Sequence, residues 1–424
     1  MQNKDKQNDR IRERNIAAIA GYFRGGCKDA SSSKIGVETE YFVIDKQGRP
    51  ITYTELEAVM KRQVTGGDTV VEEDGHFLGY YNKDFSVTLE PAAQLEISVM
   101  PQGSLARMED ILKDFNANYS KAFTAEGYVM VNTGYHPTCK AEELSLIPKK
   151  RYEYMNAYFA HSGSRGYQMM RATASTQVAV DYSSEEDFVA KYRLACTLVP
   201  ILALLTENCP VYEGEPSPRM LTRSYVWQGV DNERCLIPDC TFAEGFGFEA
   251  YAEELYSKPP ILIIDPETGK TIDTGNKTIS EIYGDRELTT PEIEHLISMF
   301  FPDVRLKHYL EIRPADSLPI DLTLAYVALV REIFYNKEIF RELSDYLKVE
   351  DKQEIEASKN NLMKHGYHGK VYGKPFSEVA DKIFELIAVH GDCEGQQYIK
   401  PLAGLAAKRM APSEFLWSDM FGGK

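Results

Sequence analysis

The chain carries only two tryptophans, eight histidines and seven cysteines in 424 residues, and no two cysteines stand in a Cys-x-x-Cys pair. That scarcity argues against paired-thiolate zinc sites and dithiol redox motifs, and an odd count in a long chain reads as reduced, structural thiols. His365 and His368 lie close together on the Gly-rich stretch HGYHG, where a solvated turn accounts for them. Positive charge is also short: 48 Lys and Arg against 64 Asp and Glu leave a net charge of −16. A nucleic-acid partner needs clustered positive charge to displace phosphate counterions, so none is expected. No window reads as the ~20 apolar residues of a membrane span, so no membrane partner is expected either. The N-terminal MQNKDKQNDRIRER is charged, without an apolar leader, which points to the cytoplasm. Missing too are a Gly-x-x-x-x-Gly-Lys-Ser/Thr loop, a Gly-x-Gly-x-x-Gly turn after a strand, and a Gly-x-Ser-x-Gly elbow. Any nucleotide must then be held by metals and side chains, and no covalent nucleophile stands out.

What is present suits a folded protein with a large core: 43% hydrophobic residues, with 26 tyrosines and 19 phenylalanines. Periodicity predicts a helix over 12–23, a strand over 34–45, two strand segments around Pro91 within 84–100, and a helix after Ser104. In that helix Leu105, Met108, Ile111, Leu112, Phe115, Tyr119 and Phe123 share one face. A long strand is predicted over 169–182, and Ser184-x-x-Asp187 opens a helix to about Asn208. A hairpin follows over 258–270, with its turn at Pro266-Glu267-Thr268-Gly269, then a strand over 308–313, a helix over 321–347 and another over 376–390. Strands and helices interleave without βαβ spacing. The fold class is therefore α+β, a mixed, mainly antiparallel sheet backed by helices on one face.

Read with a period of two, four strands have one apolar face and one face of acids, amides and arginines. Glu38 and Glu40 share a side in KIGVETEYFVID, as do Gln94, Glu96 and Ser98 in QLEISV. Arg171, Thr173, Ser175, Gln177 and Asp181 share one in MMRATASTQVAVDY, and Tyr309, Glu311 and Arg313 in HYLEIRP. One such face simply meets water; four of them, with carboxylates at 38, 40, 96 and 311, concentrate like charge that protons or cations must neutralise. Mg²⁺ takes about six oxygen ligands, which Glu carboxylates and a Gln carbonyl supply. Arg171 and Arg313 suit a phosphate or carboxylate held beside it.

At these residues the chain resembles the plant-type glutamate–cysteine ligases, which also occur in bacteria. The blocks GVETEYFVID, LEPAAQLEISVMP, IPKKRYEYM, MMRATASTQVAVDYSSEEDF, SYVWQGVDNER with AEGFGFEAY, and FFPDVRLKHYLEIRPADSLP run colinearly from about 34 to 320. Arg409 and Pro412-Ser-Glu414 continue the likeness more weakly, and Ala92-Ala93 stand where paired glycines are common in the family. The resemblance implies a single glutamine synthetase-like catalytic unit whose curved sheet forms an active-site funnel. A helical segment at 1–30 precedes the catalytic sheet at about 34–320, and a helical region follows at 321–424. It also implies an ATP-dependent joining of glutamate's γ-carboxylate to the amine of cysteine through an acyl phosphate, with glutamate, cysteine and ATP as small-molecule partners.

By that resemblance Glu38, Glu40, Glu96, Gln177 and Glu311 hold Mg²⁺, and Arg313 neutralises the phosphoryl group in transit. Ser175 lies on the Gln177 face toward a substrate pocket, and Arg223, Trp227 and Arg234 are candidates for gripping substrate carboxylates. The choice of amine acceptor lies in loops that cannot be read, so a different amine is the alternative. The Lys149-Lys150-Arg151 run reads as a solvated face rather than a phosphate grip.

Overall fold

The computed structural model describes residues 2–265 and 268–418. Its centre is a nine-stranded sheet in which every pairing is antiparallel. The strands are β1 (Ile35–Asp45), β2 (Thr69–Glu73), β3 (His76–Tyr81), β4 (Phe85–Leu89), β5 (Leu95–Gln102), β6 (Tyr128–Val131), β7 (Ser175–Val180), β8 (Val304–Leu306) and β9 (Leu310–Asp316). They run in the order β8-β9-β7-β1-β5-β4-β3-β2, with β6 paired to the far end of β1. One short parallel pairing, Cys235–Leu236 on Phe301–Pro302, lies outside this sheet. The expected α+β class is what the chain adopts.

Alternation explains why these segments sit where they do. Ile35, Val37, Tyr41 and Val43 of β1, Leu95, Ile97 and Val99 of β5, Val178 and Val180 of β7, and Leu310 and Ile312 of β9 are all buried. They bury one sheet face against helices α1 (Gln2–Arg24), α2 (Leu105–Ala125) and others within one continuous apolar core. All seven residues predicted for the inner face of α2 are buried. Its cap is not local, however. Ser104 makes no side-chain cap; instead Glu394, from far along the chain, accepts from the backbone N–H of Leu105 at 3.0 Å and of Ala106 at 3.3 Å.

Two predicted elements are corrected. The long strand over 169–182 is a helix followed by a strand: helices α3 (Lys150–Ser162) and α4 (Gly166–Ala172) precede β7. Its first half is MMRA, good helix formers, so the alternation there was coincidental. The helix α5 (Glu185–Leu205) does open at Ser184, whose side chain accepts from Asp187 N–H. By length and composition α5 could cross a membrane, contrary to the reading that no segment could, but 83% of its apolar window is buried inside the protein. After a short helix α6 (Thr222–Trp227), the long helix expected over 321–347 breaks at Asn336 into α7 (Ile320–Tyr335) and α8 (Lys337–Leu347). The Asn336 side chain caps α8, accepting from Glu338 and Ile339 N–H. The hairpin pairs Leu262–Ile264 with Thr271–Asp273, while Pro266 and Glu267 of its turn lie outside the described residues. Helix α9 spans Phe376–His390 as predicted.

Ala93 adopts φ +63°, the left-handed region, in the turn between β4 and β5. That conformation favours glycine, and Ala93 adopts it without one. All seven cysteines are free.

Candidate active site

Register decides which polar residues meet. Glu38 of β1 lies opposite Ser98 of β5 on one side and Gln177 of β7 on the other, and Glu40 lies opposite Glu96. One carboxylate oxygen from each of Glu38, Glu40 and Glu96 falls within 4.8 Å of the others. Neighbours orient them: Thr88 Oγ1 donates to Glu96 at 2.8 Å, Ser98 Oγ lies 3.3 Å from both Glu38 and Glu96, and Ser175 N–H donates to Glu40 at 2.6 Å.

Three carboxylates so close cannot all stay charged without a counter-ion. Burial, then Glu90 and Glu38, push the Glu40 carboxyl up from 4.5 to about 8. Burial and the charges of Glu38, Glu90 and Glu40 likewise raise Glu96 well above its ordinary value. A hard divalent cation removes that penalty, and an all-oxygen donor set of this kind suits Mg²⁺.

The carboxylates form the floor of a cleft of about 280 Å³. Its other walls come from helices that reach over the polar face. These helices and the 298–305 segment contribute Lys149, Arg151, Met155, Met170, Arg223, Trp227, Phe301 and Arg305. Lys149 and Arg151 thus face the cleft, against the solvated reading of that run; only Lys150, paired with Glu153, is exposed. Lys149 is the extended residue just before α3 and Arg151 lies in its first turn, so the change of backbone conformation between them lets both reach the cleft while Lys150 stays outside.

The remaining expected site residues divide. Ser175, Gln177, Arg223, Trp227 and Arg313 all line the cleft. Glu311 does not: its carboxylate takes ion pairs from Arg305 at 2.7 Å, Lys307 at 2.6 Å and Arg313 at 2.8 Å. Burial works to raise it, but these three cations hold it far below the ordinary carboxylate range. Both its oxygens are engaged, and it stands apart from the Glu38, Glu40 and Glu96 group. Gln177 Oε1 likewise accepts from Arg313 at 2.5 Å.

Arg171 sits at the end of α4, not on a strand. Its guanidinium is spent on Asn156 Oδ1 and the Leu144 carbonyl, because the helix turns it away from the cleft. Arg234 is buried and donates to Asp231 at 2.6 Å, Tyr158 at 2.7 Å and the Pro259 carbonyl. Neither lines the cleft. Arg223 is different: one Nη holds the Arg313 carbonyl at 2.9 Å, while its Nε and the neighbouring Trp227 Nε1 have no partner among the described residues. Glu90, which sequence reasoning passed over, lines the cleft beside the triad. Alternation from Thr88 would have placed it on the Glu96 face.

A family model, glutamate–cysteine ligase family 2, matches residues 34–385. The chain belongs to that family. Glutamate–cysteine ligase of Nicotiana tabacum, a chloroplastic enzyme, is 30% identical over 359 residues, covering 82% of this chain and 68% of the relative. Glutamate–cysteine ligase B of Oryza sativa subsp. japonica is 31% identical over 340 residues, 77% of this chain and 67% of that one. The crystal structure of glutamate–cysteine ligase from Francisella tularensis in complex with AMP superimposes with a TM-score of 0.58 at 10% identity, over 92% of this chain and 85% of that one. That likeness shows a shared fold.

Proposed function

We propose that this family member is the ATP- and Mg²⁺-dependent ligase joining the γ-carboxyl of glutamate to the amine of L-cysteine, the first step of glutathione synthesis. The observation that carries the reading is an acidic floor facing a basic wall in one cleft: Glu38, Glu40 and Glu96 against Arg223, Arg305 and Arg313. Bringing ATP together with a second anion in a chain of charge −16 requires local reversal of the field, which that wall supplies.

Glu38, Glu40 and Glu96 would hold Mg²⁺, which when bound shields phosphate charge and fixes its orientation. Arg313, fixed between Glu311 and Gln177, presents its guanidinium without having to reorganise, as stabilisation of a transferring phosphoryl group requires. Glu311 therefore serves the reaction through Arg313, Arg305 and Lys307. Arg223 and Trp227 line the cleft, and their buried, unpartnered donors Nε and Nε1 suit a substrate carboxylate. The balance of the reaction is then simple. A γ-carboxylate oxygen of glutamate bonds to the γ-phosphorus as ADP leaves; the amine nitrogen bonds to the acyl carbon as phosphate leaves, and the amine's protons pass to phosphate and solvent.

The test is ADP release by purified protein with ATP, Mg²⁺ and glutamate, scanned over amines. Turnover with cysteine supports the proposal. Turnover only with another amine transfers the same glutamate activation to that acceptor, and no release with any amine overturns the reading.

A further inference from the structure

No histidine lines the cleft, and the HGYHG stretch lies away from it. The fold gives that stretch a fixed shape. Gly366–His368 form a short helical turn at the end of the helix Lys352–His365. Tyr367 is buried beneath the turn, edge-on to Phe376 with ring centres 4.9 Å apart, and Gly366 takes φ +51° where a Cβ would press on Met220. With Tyr367 anchored inside, His365 and His368 are both exposed. They border a second cavity, of about 360 Å³, which shares no lining residue with the cleft.

Charge sets this cavity apart. Its lining includes Arg219, Lys364, His365, His368 and Arg409, with Glu414 as the one acid among the described residues. Glu414 accepts from the Ala411 N–H at 2.8 Å, and Arg409 is paired with Asp381 at 2.6 Å. The side chains of Arg219, Lys364, His365 and His368 make no hydrogen bond or ion pair among the described residues. The negative end of the helix Lys352–His365 accounts for Lys364 and His365. It does not account for Arg219 and His368, which lie outside that helix.

Arg219 is the telling member. Its Nη1 is buried without a partner, and its guanidinium lies 3.7 Å from the centre of the Tyr225 ring. Arg165 approaches the same ring at 4.0 Å and donates only to Val226 O and Ser164 Oγ, so neither guanidinium has a carboxylate. A chain of charge −16 has acids in excess, yet none neutralises this wall. Cations left unpaired around a concave surface call for an anion from outside the chain.

We infer that this cavity binds a small phosphate dianion, free or carried on a small organic molecule, with Arg219 and Lys364 neutralising it and the imidazoles of His365 and His368 donating N–H bonds. A lone carboxylate carries one charge and lies in one plane, which a single arginine fork satisfies. Phosphate carries nearly two charges and at least three acceptor oxygens in a tetrahedral array. Donors reaching one cavity from the 217–220 segment, the helix end and the turn at 366–368 match the second pattern. Because the cavity and the cleft are separate, the assignment holds whether or not the ligase reading does.

Imidazole signals in a two-dimensional proton–carbon spectrum test it, since none of the eight histidines lines the cleft. His365→Gln and His368→Gln assign the two signals. Inorganic phosphate, titrated at fixed pH and ionic strength with EDTA present, should shift both saturably and leave that of the buried His136 in place. Arg219→Gln and Lys364→Gln should each raise the phosphate Kd about 10–100-fold, the loss of one charge-assisted contact. Lys364 is exposed, so its variant carries the test if Arg219→Gln fails to fold. Glycerol phosphate separates the two sources: tighter binding of the ester identifies an organic phosphate, and tighter binding of the free ion identifies phosphate itself. No saturable shift with either, a Kd unchanged in Lys364→Gln, or tighter binding of the dicarboxylate glutarate than of both phosphates overturns the assignment.

Discussion

Arg313 Nη1 donates to two acceptors at once, Glu311 Oε2 at 2.8 Å and Gln177 Oε1 at 2.5 Å. This ties β9 to β7 across the sheet's polar face and leaves the guanidinium fixed at the cleft wall. It also separates two kinds of glutamate that the sequence presents alike. Glu311 is a permanent anion among cations; Glu40 and Glu96 are anions only when something else supplies the positive charge.

That difference predicts opposite effects of the same substitution. Glu311→Gln strips the counter-charge from Arg305, Lys307 and Arg313, and should cost about 3–5 kcal/mol of stability together with activity. Glu96→Gln should reduce turnover by about 10²–10³-fold while leaving metal-free stability equal or higher, since it relieves like-charge repulsion. Denaturant unfolding of the two variants beside wild type decides it. An unchanged unfolding curve for Glu311→Gln would rule out its anchoring role.

Magnesium should stabilise the fold through the carboxylate floor. At a hundredfold excess over Kd, the gain should be about 2.7 kcal/mol. Because Glu40 holds a proton up to about pH 8, Mg²⁺ competes with that proton and the gain should grow as pH rises. Thermal melts with Mg²⁺ or EDTA read this directly, and Glu40→Gln should flatten the response.

A second buried acid gives a stability effect independent of the cleft metal. Burial and Asp316 raise Glu207 from 4.5 to about 8, and it accepts from Cys209 N–H and from the hydroxyl of Ser413, near the end of the described chain. The folded protein thus prefers the protonated form. Its contribution is full below pH 4.5 and is lost as pH rises through about 8, so stability should decline with alkalinity over that window. Glu207→Gln keeps the shape of the protonated acid and should remove most of the decline above pH 6, where Asp316 has itself titrated. Chemical denaturation at several pH values would show whether the slope persists.

Three arginines should separate by phenotype. Arg223→Gln should raise a substrate KM, because its side chain lines the cleft and its buried Nε has no partner among the described residues. Arg234→Gln leaves Asp231 buried without its partner and should lower the melting temperature, with KM values little changed. Arg171→Gln should behave like Arg234→Gln, more mildly, since it loses neutral acceptors only. A KM effect confined to Arg234 or Arg171 would contradict these placements.

The sequence by itself determined the local alternation, and with it the shared faces of Glu38 with Glu40, of Gln94 with Glu96, and of Glu311 with Arg313. It also determined the inner face of α2 and the start of α5 at Ser184. Those features depend on spacing along one segment, which periodicity reads directly. Only the tertiary structure decided which faces meet and which charges pair. Strand register brought Glu96 opposite Glu40. The fold carried Arg305 and Lys307 to Glu311, turned Arg171 and Arg234 away to partners of their own, and brought Lys149, Arg151 and Glu90 into the cleft. Pairing between distant charges depends on where other segments of the chain arrive, and a one-dimensional pattern does not contain that information.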